Sequence, residues 1–230
     1  MANNTLPRHI GFIMDGNRRW AAERGLPTIE GHRAGFEALF ALIPVIKRLG
    51  IPYVSIYVFS AENWQRSQAE VKGIMKLLLW VVKNKLKAFK KEGIRIRIIG
   101  SRAGIPADIM AALEQAETET AECSEGTLGV CFNYGGQQEV VDAAKGALAA
   151  GVSPDDLTIE TFSQYMYEPD MPELDLVVRT SGEQRLSGFM LWRAAYAELY
   201  FTPLMWPSFS EAELRRAVQA YADRKRRFGT

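Results

Sequence analysis

Two segments far apart in the chain carry side chains suited to chemistry on a phosphate. Arg179-Thr-Ser-Gly-Glu-Gln-Arg-Leu-Ser187 is a polar stretch with two guanidiniums and two serine hydroxyls. A guanidinium is planar and permanently charged, and it grips phosphate oxygens in pairs. Arg179, Arg185 and Ser187 therefore form a candidate diphosphate clamp; the competing reading is a surface loop with solvated arginines. His9-Ile-Gly-Phe-Ile-Met-Asp-Gly-Asn17 is an apolar run that stops at an acid and a glycine. Gly16 lets backbone amides approach a ligand closely. A helix opening beyond it, through Asn17, Arg19 and Trp20, would offer free N–H groups and a positive dipole end to an anion. Asp15 would repel that anion unless a cation lay between them, and Mg²⁺ commonly bridges carboxylates and substrate phosphates. Asp15 is thus either a metal ligand or a helix cap.

Three more segments carry weaker signals. His32, in Glu30-Gly-His-Arg-Ala-Gly35, could donate to a phosphate oxygen or simply cap a helix. Ser60-Ala-Glu-Asn-Trp-Gln-Arg66 puts a hydroxyl, an acid, an amide, an indole and a guanidinium into one turn. There Asn63 could orient a leaving group or a water; the alternative is an N-cap with Trp64 packed on the core. Glu198, in Tyr196-Ala-Glu-Leu-Tyr200, is an acid among aromatics that would hold a metal or an arginine.

Apolar bursts at 10–14, 53–59, 94–99, 128–132 and 174–178 predict buried strands. Amphipathic stretches at 35–49, 71–91, 106–123, 137–149 and 211–227 predict helices, with Pro44 a kink or break. Strands separated by helices imply one α/β domain over residues 1–230, with a mostly parallel sheet flanked by helices. Ligands of such sheets bind beyond the carboxyl ends of the strands, where Asp15–Arg19, Ser60–Arg66, Asn133–Gly136 and Arg179–Ser187 all fall. The helix at 71–91 combines an apolar stripe with seven lysines. It is a core helix with a solvated face, one wall of a greasy tunnel, or a basic surface that meets lipid.

Composition sets bounds. Lys+Arg total 28 against 27 Asp+Glu, so any anion site is local and bulk attraction to nucleic acid is not expected. Cys123 and Cys131 lack metal or disulfide spacing and read as structural thiols. The first seven residues lack the pattern of a signal peptide, and no apolar run is long enough to span a bilayer. The expectation is a cytoplasmic protein without stable membrane insertion.

Taken in order, His-x-x-x-Ile-Met-Asp-Gly-Asn-x-Arg-Trp, Gly-His-Arg-Ala-Gly, Phe-Ser-x-Glu-Asn-Trp, Asn-Tyr-Gly-Gly and Arg-Thr-Ser-Gly-Glu-Gln-Arg-Leu-Ser, followed by Ala-Tyr-Ala-Glu-Leu-Tyr-Phe, resemble the cis-prenyltransferase (undecaprenyl diphosphate synthase) family from Pro7 to Gly229. The resemblance implies a homodimer with a hydrophobic tunnel, Mg²⁺ as cofactor and isoprenoid diphosphates as substrates. It makes Asp15 the metal-binding acid and gives Gly16, Asn17, Arg19, Trp20 and His32 to the allylic diphosphate. It puts Ser60, Asn63, Trp64 and Arg66 at the reacting centre, and Arg179, Arg185 and Ser187 on the second diphosphate. Glu198 assists metal binding, in the family from the partner subunit.

The chain departs from the family pattern at several places. Thr28 stands where the family usually has an arginine on the allylic diphosphate, Gly188 where it has asparagine, and Ser67 where it has proline. Val58 and Phe132 are bulkier than usual at tunnel positions and would shorten the cavity. These differences predict a short product. It would arise either by ordinary condensation with isopentenyl diphosphate or by an irregular, lavandulyl-type joining of two dimethylallyl diphosphates, with or without ring closure. A long-chain undecaprenyl diphosphate synthase, a non-catalytic partner subunit and a phosphate-binding hydrolase are the alternatives.

Overall fold

Alternation at period two sorts the strand side chains into two cores. In β1 (His9–Ile13) Ile10 and Phe12 face one side of the sheet and Ile13 the other. Leu128, Val130 and Phe132 of β4 (Gly126–Tyr134) join the first core, and Cys131 the second. A sheet buried on both faces needs apolar residues at nearly every position, which is why these strands read as continuous apolar runs. The computed structural model describes residues 6–224.

The remaining strands are β2 (Tyr53–Ser60), β3 (Ile94–Ile99), β5 (Leu176–Arg179) and β6 (Glu198–Phe201). Together the six form one sheet in the order β3-β4-β2-β1-β5-β6, and every ladder is parallel. The helices are α1 (Asn17–Ala22), α2 (Thr28–Arg48), α3 (Gln68–Lys91), α4 (Ala107–Glu119), α5 (Gly136–Ala149), α6 (Ile159–Ser163) and α7 (Glu211–Ala222). Residues of α2, α3, α4 and α7 fill the first core. The expected α/β fold with a parallel sheet flanked by helices is the observed one. Among the described residues, no helix is long and apolar enough to cross a membrane.

Three sequence expectations shift. The second helix begins at Thr28 rather than residue 35, and it runs through Pro44 without ending. Gly31 and Gly35 lower intrinsic helix propensity, yet packing requires them: a Cβ on Gly31 would lie 2.0 Å from the Asn17 carbonyl oxygen, and one on Gly35 2.4 Å from Asn17 Oδ1. The two glycines let α1 sit directly on α2. Strand β6 has no counterpart among the expected strands; it is a four-residue edge of half-buried residues. The closing helix ends at Ala222, and the basic run that continues past Arg224 lies outside the described residues, as does most of the N-terminal segment read for a signal peptide.

Candidate active site

The site grows out of the carboxyl ends of β1, β2 and β5. After β1 the chain turns at Gly16, whose φ of 100° suits glycine, and α1 starts at once. The Gly16 N–H donates to Asp15 Oδ1 at 2.7 Å, and Arg179 Nη2 donates to Asp15 Oδ2 at 3.0 Å. Thr180 Oγ clamps the same residue from behind, accepting from the Asp15 N–H at 3.0 Å and donating to its carbonyl at 2.7 Å. Arg179 is itself buried, and its Nη1 also donates to Ser187 Oγ at 2.9 Å and to the Arg185 carbonyl. Arg19 donates to Ser181 and sits 3.9 Å from Asp15 Oδ1.

Two opposed bulges shape the β2–β4 ladder beside this mouth. Tyr57 pairs with Cys131 and Phe59 with Phe132, so Val58 is an extra residue in β2. Ser60 pairs with Tyr134, so Asn133 is the extra residue in β4, at φ 48°. Bulges re-aim side chains near sites. Here Val58 lines the cavity, and Asn133 donates to the carbonyls of Ser101 and Ala103 and accepts from Trp64 Nε1 at 2.7 Å. In the turn after β2, Asn63 Oδ1 accepts from the Ser60 N–H at 3.2 Å. That occupies its oxygen and leaves the amide NH₂ as the group Asn63 can offer a ligand.

A second charged cluster lies across the mouth. Glu70, in the first turn of α3, accepts from Arg66 Nη1 at 2.9 Å; His32 Nε2 is 3.5 Å away and Arg18 3.8 Å. Burial holds the His32 pKa below its ordinary value, against the raising effect of Glu70. A neutral imidazole is therefore the resting form near neutral pH. The His32 Nε2, Arg179 Nε and Asn17 Oδ1 atoms are buried with no hydrogen-bond partner among the described residues. Unpartnered polar atoms are rare in interiors, and two of these three belong to groups that bind anions.

Behind the mouth a single cavity of ≈ 1160 Å³ runs between α2, α3 and the sheet. Asp15, Gly16, Asn17, Arg19, His32, Ser60, Asn63, Arg66, Arg179 and Ser187 line it with Val58, as do Thr28 and Gly188. Its deep wall is apolar and reaches Phe89, Ile96, Leu113, Ala116 and Leu128. From Ser60 to the level of Leu128, six residues along β4, this is roughly 20 Å at the usual strand rise.

Five expected positions lie elsewhere. Trp20 is outside the cavity, donating to Ser208 at 3.1 Å beneath Arg24. Trp64 packs edge-on against Phe59 behind the wall, as the core-packing alternative anticipated. Arg185 is exposed and paired with Glu183 at 2.5 Å. Phe132 is fully buried and stacked on Phe59, so it backs the tunnel without lining it. Glu198 pairs with Arg224 at 2.6 Å, and in the ladder it stands opposite Leu176, three residues below the Arg179 level, about 10 Å from the mouth. The anticipated shortening of the tunnel by Val58 and Phe132 is not what the geometry gives: the cavity passes Val58 and continues to the far end of β4. Glu70 and Thr180 are site residues the sequence reading did not single out. The signal for the first was Ser67 followed three residues later by Glu70, which marks the start of a helix.

A family model for undecaprenyl diphosphate synthase matches residues 13–229. An isoprenyl transferase of Bradyrhizobium diazoefficiens is 46% identical over 228 residues, covering 97% of this chain and 90% of the relative. Another, from Thermotoga maritima, is 42% identical and covers 97% of each. The crystal structure of lavandulyl diphosphate synthase from Lavandula x intermedia, in complex with dimethylallyl diphosphate, is similar with a TM-score of 0.94 at 32% identity, covering 99% of this chain and 100% of that one. The chain belongs to the cis-prenyltransferase (undecaprenyl diphosphate synthase) family and is a prenyltransferase by descent.

Proposed function

We propose that the protein condenses small isoprenoid diphosphates, taking dimethylallyl diphosphate or a longer allylic diphosphate at the Asp15–Arg19–His32 side of the mouth and isopentenyl diphosphate at the Arg179–Ser187 side. The observation that carries this reading is one continuous cavity, cationic at its mouth and hydrocarbon-lined to its floor. An allylic C–O bond breaks as diphosphate departs. The alkene of the second substrate attacks the allylic carbon, and a proton then leaves the new chain. Arg19, Arg66 and the Asn63 NH₂ offset the charge growing on the leaving diphosphate. A diphosphate oxygen takes the proton, since the Asn63 oxygen is engaged by the Ser60 amide.

Mg²⁺ fits this mouth as a partner held jointly with substrate. Among the described residues there is no cluster of three ligating side chains, and Mg²⁺ ordinarily uses one or two carboxylates plus substrate phosphates. Asp15 would hold it, and when bound it would neutralise the leaving group. For Glu198 to reach the same ion it must come from a second copy of the chain, so the reading includes a homodimer.

The cavity exceeds the roughly 300–1,000 Å³ of pockets that hold drug-sized ligands, and a product of two isoprene units would leave its floor empty. This favours elongation beyond two units. The second reading, a short and irregular lavandulyl-type product, is favoured by Thr28 and Gly188 at the two diphosphate sites. Mass spectrometry and NMR of products decide between them. Dimethylallyl diphosphate is supplied alone, with isopentenyl diphosphate, and replaced by farnesyl diphosphate. Products of three or more units support elongation, and a branched ten-carbon product from dimethylallyl diphosphate alone supports the irregular reading. Absence of any carbon–carbon bond formation overturns both.

A further inference from the structure

Helix α3 has two faces with different chemistry. Ile74, Leu77, Leu78, Val81, Val82 and Phe89 line the apolar cavity. At 100° per residue, Lys72, Lys76, Trp80, Lys83, Lys87 and Lys91 fall within an arc of roughly 100° on the opposite side. All six are exposed, Trp80 by 39%. None of the five lysines has an ion-pair partner among the described residues, whereas Lys85, off this arc, is held by Glu37 at 3.3 Å. The only acid within α3 is Glu70, which Arg66 and His32 engage at the mouth. The chain as a whole is nearly neutral, at +1, so this positive strip is a local feature.

We propose that the outer face of α3 docks on an anionic lipid bilayer, the lysines meeting headgroups and Trp80 entering the interface. Juxtaposed lysines attract anionic lipid additively, and an indole has one apolar body and one polar N–H suited to that boundary. A bare lysine strip would suit any polyanion. The tryptophan at its centre, an apolar body among the lysines, points to lipid. The surface is independent of which prenyl product is made, and its test is read from vesicle binding, with turnover only as a control.

The test is flotation of the whole protein with vesicles of phosphatidylcholine alone or with one-third phosphatidylglycerol. Binding is expected only to the anionic vesicles and is weakened by salt. Substituting Lys76, Lys83 and Lys87 by Gln should weaken it about a hundredfold, at about fivefold per lysine. Trp80→Phe should remove the blue shift of tryptophan emission that accompanies binding. Circular dichroism and turnover of short soluble substrates should stay at wild-type values in both variants. Equal binding to neutral vesicles, no binding to anionic ones, or undiminished binding by the lysine variant overturns the proposal. So does a lipid-free dimer in which Trp80 is shielded from acrylamide quenching, which would show a second copy covering the face.

Discussion

Arg179 Nη2 donates to Asp15 Oδ2 at 3.0 Å across two neighbouring parallel strands, and the same guanidinium holds Ser187 Oγ at 2.9 Å. One buried arginine thereby joins the acid of the proposed allylic site to the hydroxyl of the proposed second diphosphate site. Asp15→Asn keeps the shape and one acceptor oxygen, enough for either the Gly16 or the Arg179 donor, and removes the charge. It should fold normally and lose at least a hundredfold in kcat, the scale of losing one transition-state electrostatic partner. Asp15→Ala should lose the same activity and also roughly 1–3 kcal/mol of stability, because the buried Arg179 loses its carboxylate and keeps only the neutral Ser187 and Arg185 acceptors. Steady-state kinetics and urea denaturation on both variants measure this. An active Asn variant would remove Asp15 from the chemistry.

Tunnel length is set at the floor rather than at the bulge. Ala116 is buried on α4 and lines the deep wall together with Ile96 and Leu128. Ala116→Leu adds bulk there and should shorten the longest product without lowering the rate of the first condensation. Val58→Ala, near the mouth, should leave product length unchanged. The opposite pattern, sensitivity at Val58 and none at Ala116, would show that the chain never reaches the floor. That is the outcome the short-product reading requires.

Much of this was legible in the residues. Asp15, Arg179 and Ser60–Arg66 come at the ends of apolar strands, and the parallel sheet implied by strands alternating with helices placed them at one sheet end. The tunnel's extent was not legible, because a local count of side-chain bulk at Val58 and Phe132 cannot show a pair of compensating bulges. One bulge turns Val58 toward the cavity, and Phe132 stacks on Phe59 behind the wall. Nor could spacing alone show that Trp64 is tied to Asn133, or that Glu198 sits at the opposite end of its strand from Phe201 and so away from Asp15. Strand β6 escaped notice because a four-residue, half-buried edge has almost no periodic signal.

Thr28 and Gly188 can be reverted to the family pattern without obvious steric obstruction. A Cβ at Gly188 would meet only the Gly136 nitrogen, at 3.7 Å, and its φ of 77° is a conformation asparagine tolerates better than most residues. Thr28→Arg puts a guanidinium on the proposed allylic side and should lower the KM for dimethylallyl diphosphate by about tenfold, the lower end of what one charge-assisted hydrogen bond supplies. If these two positions favour the irregular reaction, the double variant should shift product from dimethylallyl diphosphate alone toward product that needs isopentenyl diphosphate. An unchanged product ratio would assign the regiochemistry to other residues.

Acid stability should hinge on His9. Its ring is fully buried, with Nε2 2.9 Å from Ser55 Oγ and Nδ1 2.9 Å from the Pro172 carbonyl. Burial lowers its pKa from 6.5 to about 4, with Arg193 adding to the effect and Asp175 opposing it. The unfolded chain therefore binds a proton below pH 6.5 that the folded chain refuses until about pH 4. Stability is complete above 6.5 and falls through that window as pH drops; His32, also lowered, acts in the same direction. His9 alone should account for roughly 2–3 kcal/mol between pH 7.5 and 4.5. Urea denaturation at the two pH values should show that much less acid loss in His9→Gln than in the wild type, whatever the variant's stability at neutral pH. Equal loss in both proteins would place the acid sensitivity in other groups.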